Sequence, residues 1–327
     1  MHISTEIEIN SIIEELWKTN PEDKTPTVYA ILDGARDRRI EPLINNSQLE
    51  QACLYEGKLT YELKRSAPHI IKLEKDNAIT RKIIKLGWGN SWGIFATTYN
   101  TSNLSAIKLN CKKIAFVHDE NNRKLLFRYY DPRISRVYLP TCNESEANQV
   151  FGSVIEYIVE NENPTKIHRF TRTHSGVIDL NNINIKNQEK LVQGNFKIQN
   201  KNFLIIRSEQ MDILSTHAQE KEYQSLKKQF INDFIYNPKE KIEFKGEKYE
   251  IDSLLRHCLK EAVKFKLEDR YSIYSFFHLN YQYGWGFWNT KNHAWTKSIL
   301  ESARDGDIKI EKIENKFSSN LMDQLWN

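Results

Sequence analysis

The sequence predicts an α/β (mixed α+β) N-terminal lobe followed by a C-terminal all-helical lobe, and three observations carry that expectation. Up to about residue 160, short runs rich in β-branched and aromatic residues alternate with segments whose apolar residues recur every three to four positions, as in a layered sheet-and-helix domain. Residues 161–206 are polar and rich in Asn and Lys, with only short strand-like pieces, and read as a bridging segment or hairpin. From 207 to 327 the helical period takes over. Ile251, Leu254, Leu255, Cys258, Leu259, Ala262 and Val263 fall at i, i+3, i+4, i+7, i+8, i+11 and i+12. The expected domains are therefore 1–160, 161–206 and 207–327.

Taken in order, Ile7, Ile9, Ile12, Ile13 and Leu16-Trp17 suggest a short amphipathic first helix that ends at Asn20-Pro21. Residues 27–32 read as a buried strand, Asp33-Gly34 as a turn, and 35 to about 45 as a polar helix. A second strand is expected at 68–73 and a helix at 77–86. The glycine- and tryptophan-rich turn at 87–93 then leads into a strand at 94–98. Ser102 is a plausible cap for a helix running through Cys111. Strands at 113–118 and 123–130 flank Asp119-Glu120-Asn121-Asn122 as a hairpin. Asp131 can cap a helix whose first turn accepts Pro132, because the missing N–H has no helical partner there anyway. A helix at 144–151 and strands at 153–160, 166–173 and 177–180 complete the sheet region. In the second lobe Asp252-Ser253 could cap the cleanest helix.

Of the 327 residues, 39% are hydrophobic and 28% charged, enough apolar material for a core, while 12 Gly and 8 Pro argue against a loop-dominated chain. The formal net charge is +4, from 47 basic against 43 acidic residues. Basic residues occur as pairs such as Arg38-Arg39 and Lys227-Lys228 rather than tracts, so no nucleic-acid partner is expected. Cys53, Cys111, Cys142 and Cys258 make no CxxC and read as neutral thiols in a reducing compartment. The N-terminus lacks a basic region followed by an apolar one, and no run approaches the ~18–20 apolar residues of a membrane span. A soluble cytoplasmic protein with no membrane partner is the expectation.

Few residues suggest chemistry. There is no GxxxxGK[ST], no GxGxxG after a strand, no GxSxG and no HExxH. His257 and Cys258 are neighbours on a helix and cannot face each other. Asp33 and Asp131 are the best carboxylates, since each follows an apolar run, where open sheets position functional groups. As a pair they could hold a metal or divide acid and base roles, which gives the alternative of a metal-dependent phosphohydrolase or nuclease. Against this, Asp33 can satisfy turn amides and Asp131 a helix start. Arg36, Arg128 or Arg133 can neutralise both, and an acid beside an arginine stays ionised. The second unusual feature is the aromatic run Tyr281, Tyr283, Trp285, Phe287, Trp288. Its two readings are core packing and an exposed apolar groove for a partner.

Four stretches carry a family resemblance: Val28-Tyr29-Ala30-Ile31-Leu32-Asp33-Gly34-Ala35-Arg36, Ser66-Ala67-Pro68-His69-Ile70-Ile71-Lys72-Leu73, Gly87-Trp88-Gly89-Asn90-Ser91-Trp92-Gly93-Ile94 and Leu126-Phe127-Arg128-Tyr129-Tyr130-Asp131-Pro132-Arg133. In order and spacing they resemble the type VI secretion effector adaptors, also called effector chaperones. The segment Tyr283-Gly284-Trp285-Gly286-Phe287, followed by a helix and Lys309-Ile310, is similar to the helical lobe of such proteins. The resemblance implies a non-enzymatic role without cofactor or metal. Such a protein binds a toxic effector in the cytoplasm and loads it onto the spike, a valine–glycine-repeat protein often tipped by a PAAR-repeat protein. It also implies that Asp33, Arg36, Trp88, Trp92, Arg128, Tyr130, Asp131, Arg133, Tyr283, Trp285, Phe287 and Trp288 serve the fold or partner binding.

Overall fold

The computed structural model describes residues 2–19, 24–99, 103–181, 203–235, 242–244 and 247–325. The chain divides into two compact units, Met1–His217 and Ala218–Asn327, with the break inside a helix that starts at Ser208.

The first unit begins with α1 (Glu6–Leu16), opened by a capping box in which Thr5 and Glu8 exchange side-chain and backbone hydrogen bonds. The expected stop at Asn20-Pro21 lies outside the described residues. Then follow β1 (Thr27–Asp33), α2 (Ile40–Asn45), β2 (Gln51–Cys53), α3 (Tyr61–Ser66), β3 (Pro68–Leu73), α4 (Ala78–Gly87) and β4 (Gly93–Thr98). Of the polar helix expected from 35 to about 45 only the second half, 40–45, forms, because Asp33 and Asp37 hold 34–39 in turns. α5 (Leu104–Ala115) is capped by Asn103, whose side chain accepts the Ala106 N–H; Ser102 lies outside the described residues. β5 (Phe116–Asp119) and β6 (Lys124–Leu126) form the expected hairpin, but α5 takes the residues assigned to the start of the first strand. α6 (Pro132–Tyr138), α7 (Glu144–Phe151), β7 (Glu156–Glu160), β8 (Ile167–Arg172), β9 (Val177–Asp179) and β10 (Ile205–Ile206) complete the unit. Residues 182–202 of the polar segment lie outside the described residues.

Seven strands form one sheet in the order β2-β3-β1-β4-β7-β8-β9, every neighbour antiparallel. An antiparallel sheet often leaves one face wet, with alternating polar residues. Here the central strands are buried on both faces, and the period-2 alternation sorts apolar residues between two cores. Val28, Ala30 and Leu32 of β1 pack with α1, α2 and α4, while Tyr29 and Ile31 pack with α5, α6 and α7. This sandwich explains why β1 reads as a continuous apolar run. Each fully buried Ile or Leu contributes roughly 1.5–3 kcal/mol.

The second unit contains the rest of α8 (Ser208–Phe234), a short hairpin of β11 (Ile242–Phe244) and β12 (Glu247–Tyr249), then α9 (Ile251–Lys264), α10 (Arg270–Tyr283), α11 (Ala294–Leu300) and α12 (Gly306–Leu325). The period at 251–263 is realised in α9, which buries Ile251, Leu254, Leu255, Cys258 and Ala262; Val263 is 64% exposed. The cap differs from expectation. Glu250 stands at the N-cap, and Asp252 is drawn to Lys227, Tyr223 and Arg256. Among the described residues no helix is long and apolar enough to cross a membrane.

Candidate functional site

The sheet register gathers the four sequence stretches at one end of the first unit. Asp33, the last residue of β1, is opposite Pro68 at the start of β3, and Leu32 is opposite Gly93 at the start of β4. β7 runs beside β4, with Phe95 opposite Ile158, so Glu160 ends at the same edge. The fourth stretch is not the strand the sequence suggested. β6 stops at Leu126 because its neighbour β5 begins only at Phe116, after α5; the Phe127 N–H makes one last bond in register to the Ala115 carbonyl, and the Asp131 N–H then turns back to the Arg128 carbonyl. Phe127, Tyr129 and Tyr130 point into the core as parts of a loop, which releases Arg128 to reach the sheet end.

Both candidate acids are buried, Asp33 at 1% and Asp131 at 2% exposure. Asp33 accepts the Ala35 N–H at 3.1 Å through Oδ1 and pairs through Oδ2 with the Arg128 guanidinium. Asp131 is the N-cap of α6, accepting the Arg133 N–H at 3.0 Å, with Pro132 in the first turn as expected. Its two oxygens also hold the Arg133 guanidinium, Nε at 2.9 Å and Nη2 at 2.5 Å. Burial pushes the Asp131 carboxyl upward, but Arg133, helped by Arg36, outweighs it and leaves the pKa below the usual carboxylate range. Burial tends to lower the Arg128 pKa, and the Asp33 carboxylate reverses this, holding Arg128 above its ordinary value. Tyr130 is buried beside this pair, its phenol raised by burial, by Tyr55 and by the charge of Asp33.

The turn at 88–92 is built around an acid the sequence reading missed. Glu160 accepts the N–H groups of Gly89 at 2.5 Å and Ser91 at 2.9 Å, and the Ser91 hydroxyl at 3.1 Å. Burial raises the Glu160 pKa, partly offset by those donors. A lone acid ending a strand gave no signal in sequence; only its register with β4 identifies it. Trp88 and Trp92 lie in the core with α1 and α4, at 3% and 2% exposure. The Trp88 indole N–H donates to the Pro164 carbonyl at 2.7 Å, and Arg39 lies over the Trp92 ring at 5.5 Å. Arg36 is exposed, with Nε donating to the Ser91 carbonyl at 3.3 Å.

Tyr283, Trp285, Phe287 and Trp288 form a separate cluster inside the second unit. Of the two readings of this run, core packing holds for Trp285, Phe287 and Trp288, which turn inward at 7%, 0% and 4% exposure, while Tyr281 is 40% exposed. Trp288 stacks on Phe276 at 5.1 Å and meets Phe265 edge-on at 5.5 Å; Tyr283 stacks on Phe317 at 3.7 Å. The segment is not a strand. Gly284 and Gly286 take positive φ of 95° and 80°, ending α10 and reversing the chain so that alternate aromatics reach one core. Asn280 secures the reversal by accepting the Gly286 N–H at 2.9 Å. Lys309 is 1% exposed and donates to the Phe265 carbonyl at the end of α9 at 2.7 Å, a helix C-cap that accounts for its burial.

Among the described residues no three His, Cys, Asp or Glu side chains group as a metal site requires. The arrangement at the sheet end is two buried ion pairs plus an acid clamped by backbone amides, a set of braces joining segments distant in sequence. Residues 28–149, which contain the four stretches, match a family described as Domain of unknown function (DUF4123). No curated protein matches the chain, and no solved structure does.

Proposed function

We propose that this protein is a cytoplasmic adaptor of type VI secretion. It would bind a toxic effector in the producing cell and deliver it to the spike protein, with or without a PAAR-type tip, and would break no bonds itself. The observation that carries the reading is that Asp33 and Asp131, the two side chains best suited to chemistry, are buried and each engaged by an arginine. A carboxylate held ionised by a guanidinium is a poor general acid, and its lone pairs are committed. The order and spacing of the four stretches within residues 28–149 support the same reading. Loading a partner requires a rigid, shaped surface more than reacting groups, and braces across a sheet end supply rigidity.

The test is co-expression with the product of the neighbouring gene, followed by capture of the complex and then of the spike protein. Capture of both supports the proposal. A purified chain that turns over a substrate, and loses that turnover on Asp33→Ala or Asp131→Ala, ends it.

A further inference from the structure

We propose that the arginine-rich end of the sheet in the first unit docks an acidic polypeptide segment, an inference that rests on the adaptor reading. The sequence shows its arginines in separate pairs and singles; folding brings five of them to one edge. Arg128 closes on Asp33, and Gly34, next along the chain, lies against the backbone carbonyl of Arg65. Arg65 donates to the Arg38 carbonyl at 3.1 Å. Arg36 is near enough to Asp131, the partner of Arg133, for its charge to act there.

Among the described residues no carboxylate pairs with Arg36, Arg38 or Arg65. Arg36 reaches only the carbonyls of Ser91 and Asn90, at 3.3 and 3.4 Å. The Arg65 Nε is buried without a hydrogen-bond partner. Arg36 and Arg38 are exposed, and the paired side chains of Arg128 and Arg133 keep 37% and 41% of their surface in solvent. The like charges of Arg128 and Arg133 act on each other, and an incoming anion relieves that repulsion.

The residue type points to the partner. Lysine outnumbers arginine along the chain, yet every cation in 33–39 and in 127–136 is arginine. A guanidinium is planar, weakly hydrated and matched in a fork to a carboxylate, whereas an ammonium is a hydrated point charge that serves solubility equally well. Aspartate and glutamate side chains of a partner chain fit this surface. Nucleic acid fits it less well, because a protein that grips a duplex through its backbone neutralises roughly 6–10 phosphates and this edge offers three unpaired cations.

The experiment uses the full chain and a fluorescein-labelled hexaglutamate peptide at low ionic strength, read by anisotropy. Arg36→Ala/Arg38→Ala removes two exposed charges and leaves both braces intact; Lys260→Ala/Lys312→Ala removes the same charge from the second unit. The expected result is binding at least tenfold weaker for the arginine variant, unchanged for the lysine variant, and only partly restored in Arg36→Lys/Arg38→Lys. Failure of the wild type to bind the peptide, equal loss in both double alanine variants, or tighter binding of a short DNA duplex through the same arginines overturns the proposal. Effector capture separates this claim from the adaptor reading. Capture undiminished in Arg36→Ala/Arg38→Ala sinks the acidic docking surface alone, and absence of capture by the wild type sinks the adaptor reading.

Discussion

Arg128 closes on Asp33 from 95 residues further along the chain, pinning the loop before α6 to the end of β1. The Asp33 side chain is 2% exposed and the Arg128 side chain 37%, so the pair is a plug whose outer part stays wet.

Removing the arginine strands a buried charge. Breaking a fully buried pair costs about 3–5 kcal/mol, and the partly solvated guanidinium lowers the expectation for Arg128→Ala to roughly 2–3 kcal/mol. Asp33→Asn keeps an acceptor for the Ala35 N–H and leaves an arginine that can turn to water, so it should cost less. Urea denaturation of both variants checks the order; a larger loss for Asp33→Asn would contradict the plug.

Acid should weaken the first unit through His69. The ring is 1% exposed, with Nδ1 2.9 Å from the Ala67 carbonyl and Nε2 buried without a partner. Burial lowers its pKa, although the Ala67 carbonyl partly opposes this. The unfolded chain therefore binds a proton first, so stability falls as pH drops from about 6.5 toward the folded value, by up to about 1.4 kcal/mol per pH unit. His69→Gln should flatten that limb of a stability-versus-pH curve. The Asp131 carboxylate, with its lowered folded pKa, adds a further loss only below about pH 4.

Gly93→Ala should be among the most damaging small substitutions. A Cβ there would stand 2.0 Å from the Ile31 carbonyl oxygen, and one at Gly34 would stand 2.3 Å from the Arg65 carbonyl oxygen. Both obstacles are backbone, so relief requires moving β1 against β4 or α3 against the turn; overpacking of this kind costs about 1–3 kcal/mol or more. Thermal melts that match wild type at both positions would show the strands are further apart than described.

Trp288→Ala should unfold or loosen the second unit, because large aromatic-to-alanine changes in a core cost about 3–5 kcal/mol. Near-UV circular dichroism and a denaturant melt measure it. Loss of partner capture in this variant reports lost packing against Phe265 and Phe276, not a lost contact surface.

Much of the fold was legible because the local physics is strong. The i, i+3, i+4 recurrence defines α9, and β1 carries an unbroken apolar run from Val28 to Leu32, since the sheet is covered on both faces there. The Asp131-Pro132 start of α6 follows from capping alone. Legibility ended where a residue's role depends on something distant in sequence. Leu125 to Tyr130 has strand composition, yet most of it is a loop, because the core needs its aromatics while Asp33 needs Arg128. Composition likewise left the aromatic run at 281–288 open between groove and core, and two glycines at positive φ decided for the core.

The sequence by itself determined which residue types exist and where helices and central strands form, because propensity, capping and periodicity act within a few positions. It also limited the plausible acids to two and named three arginines able to neutralise them. Only the tertiary structure decided that Arg128 takes Asp33 and Arg133 takes Asp131, that Glu160 is clamped by the turn after α4, and that Arg36 and Arg65 donate to backbone carbonyls rather than to a carboxylate. Those outcomes depend on antiparallel register, which brings strand ends together from across the chain and leaves no trace in any short window of sequence.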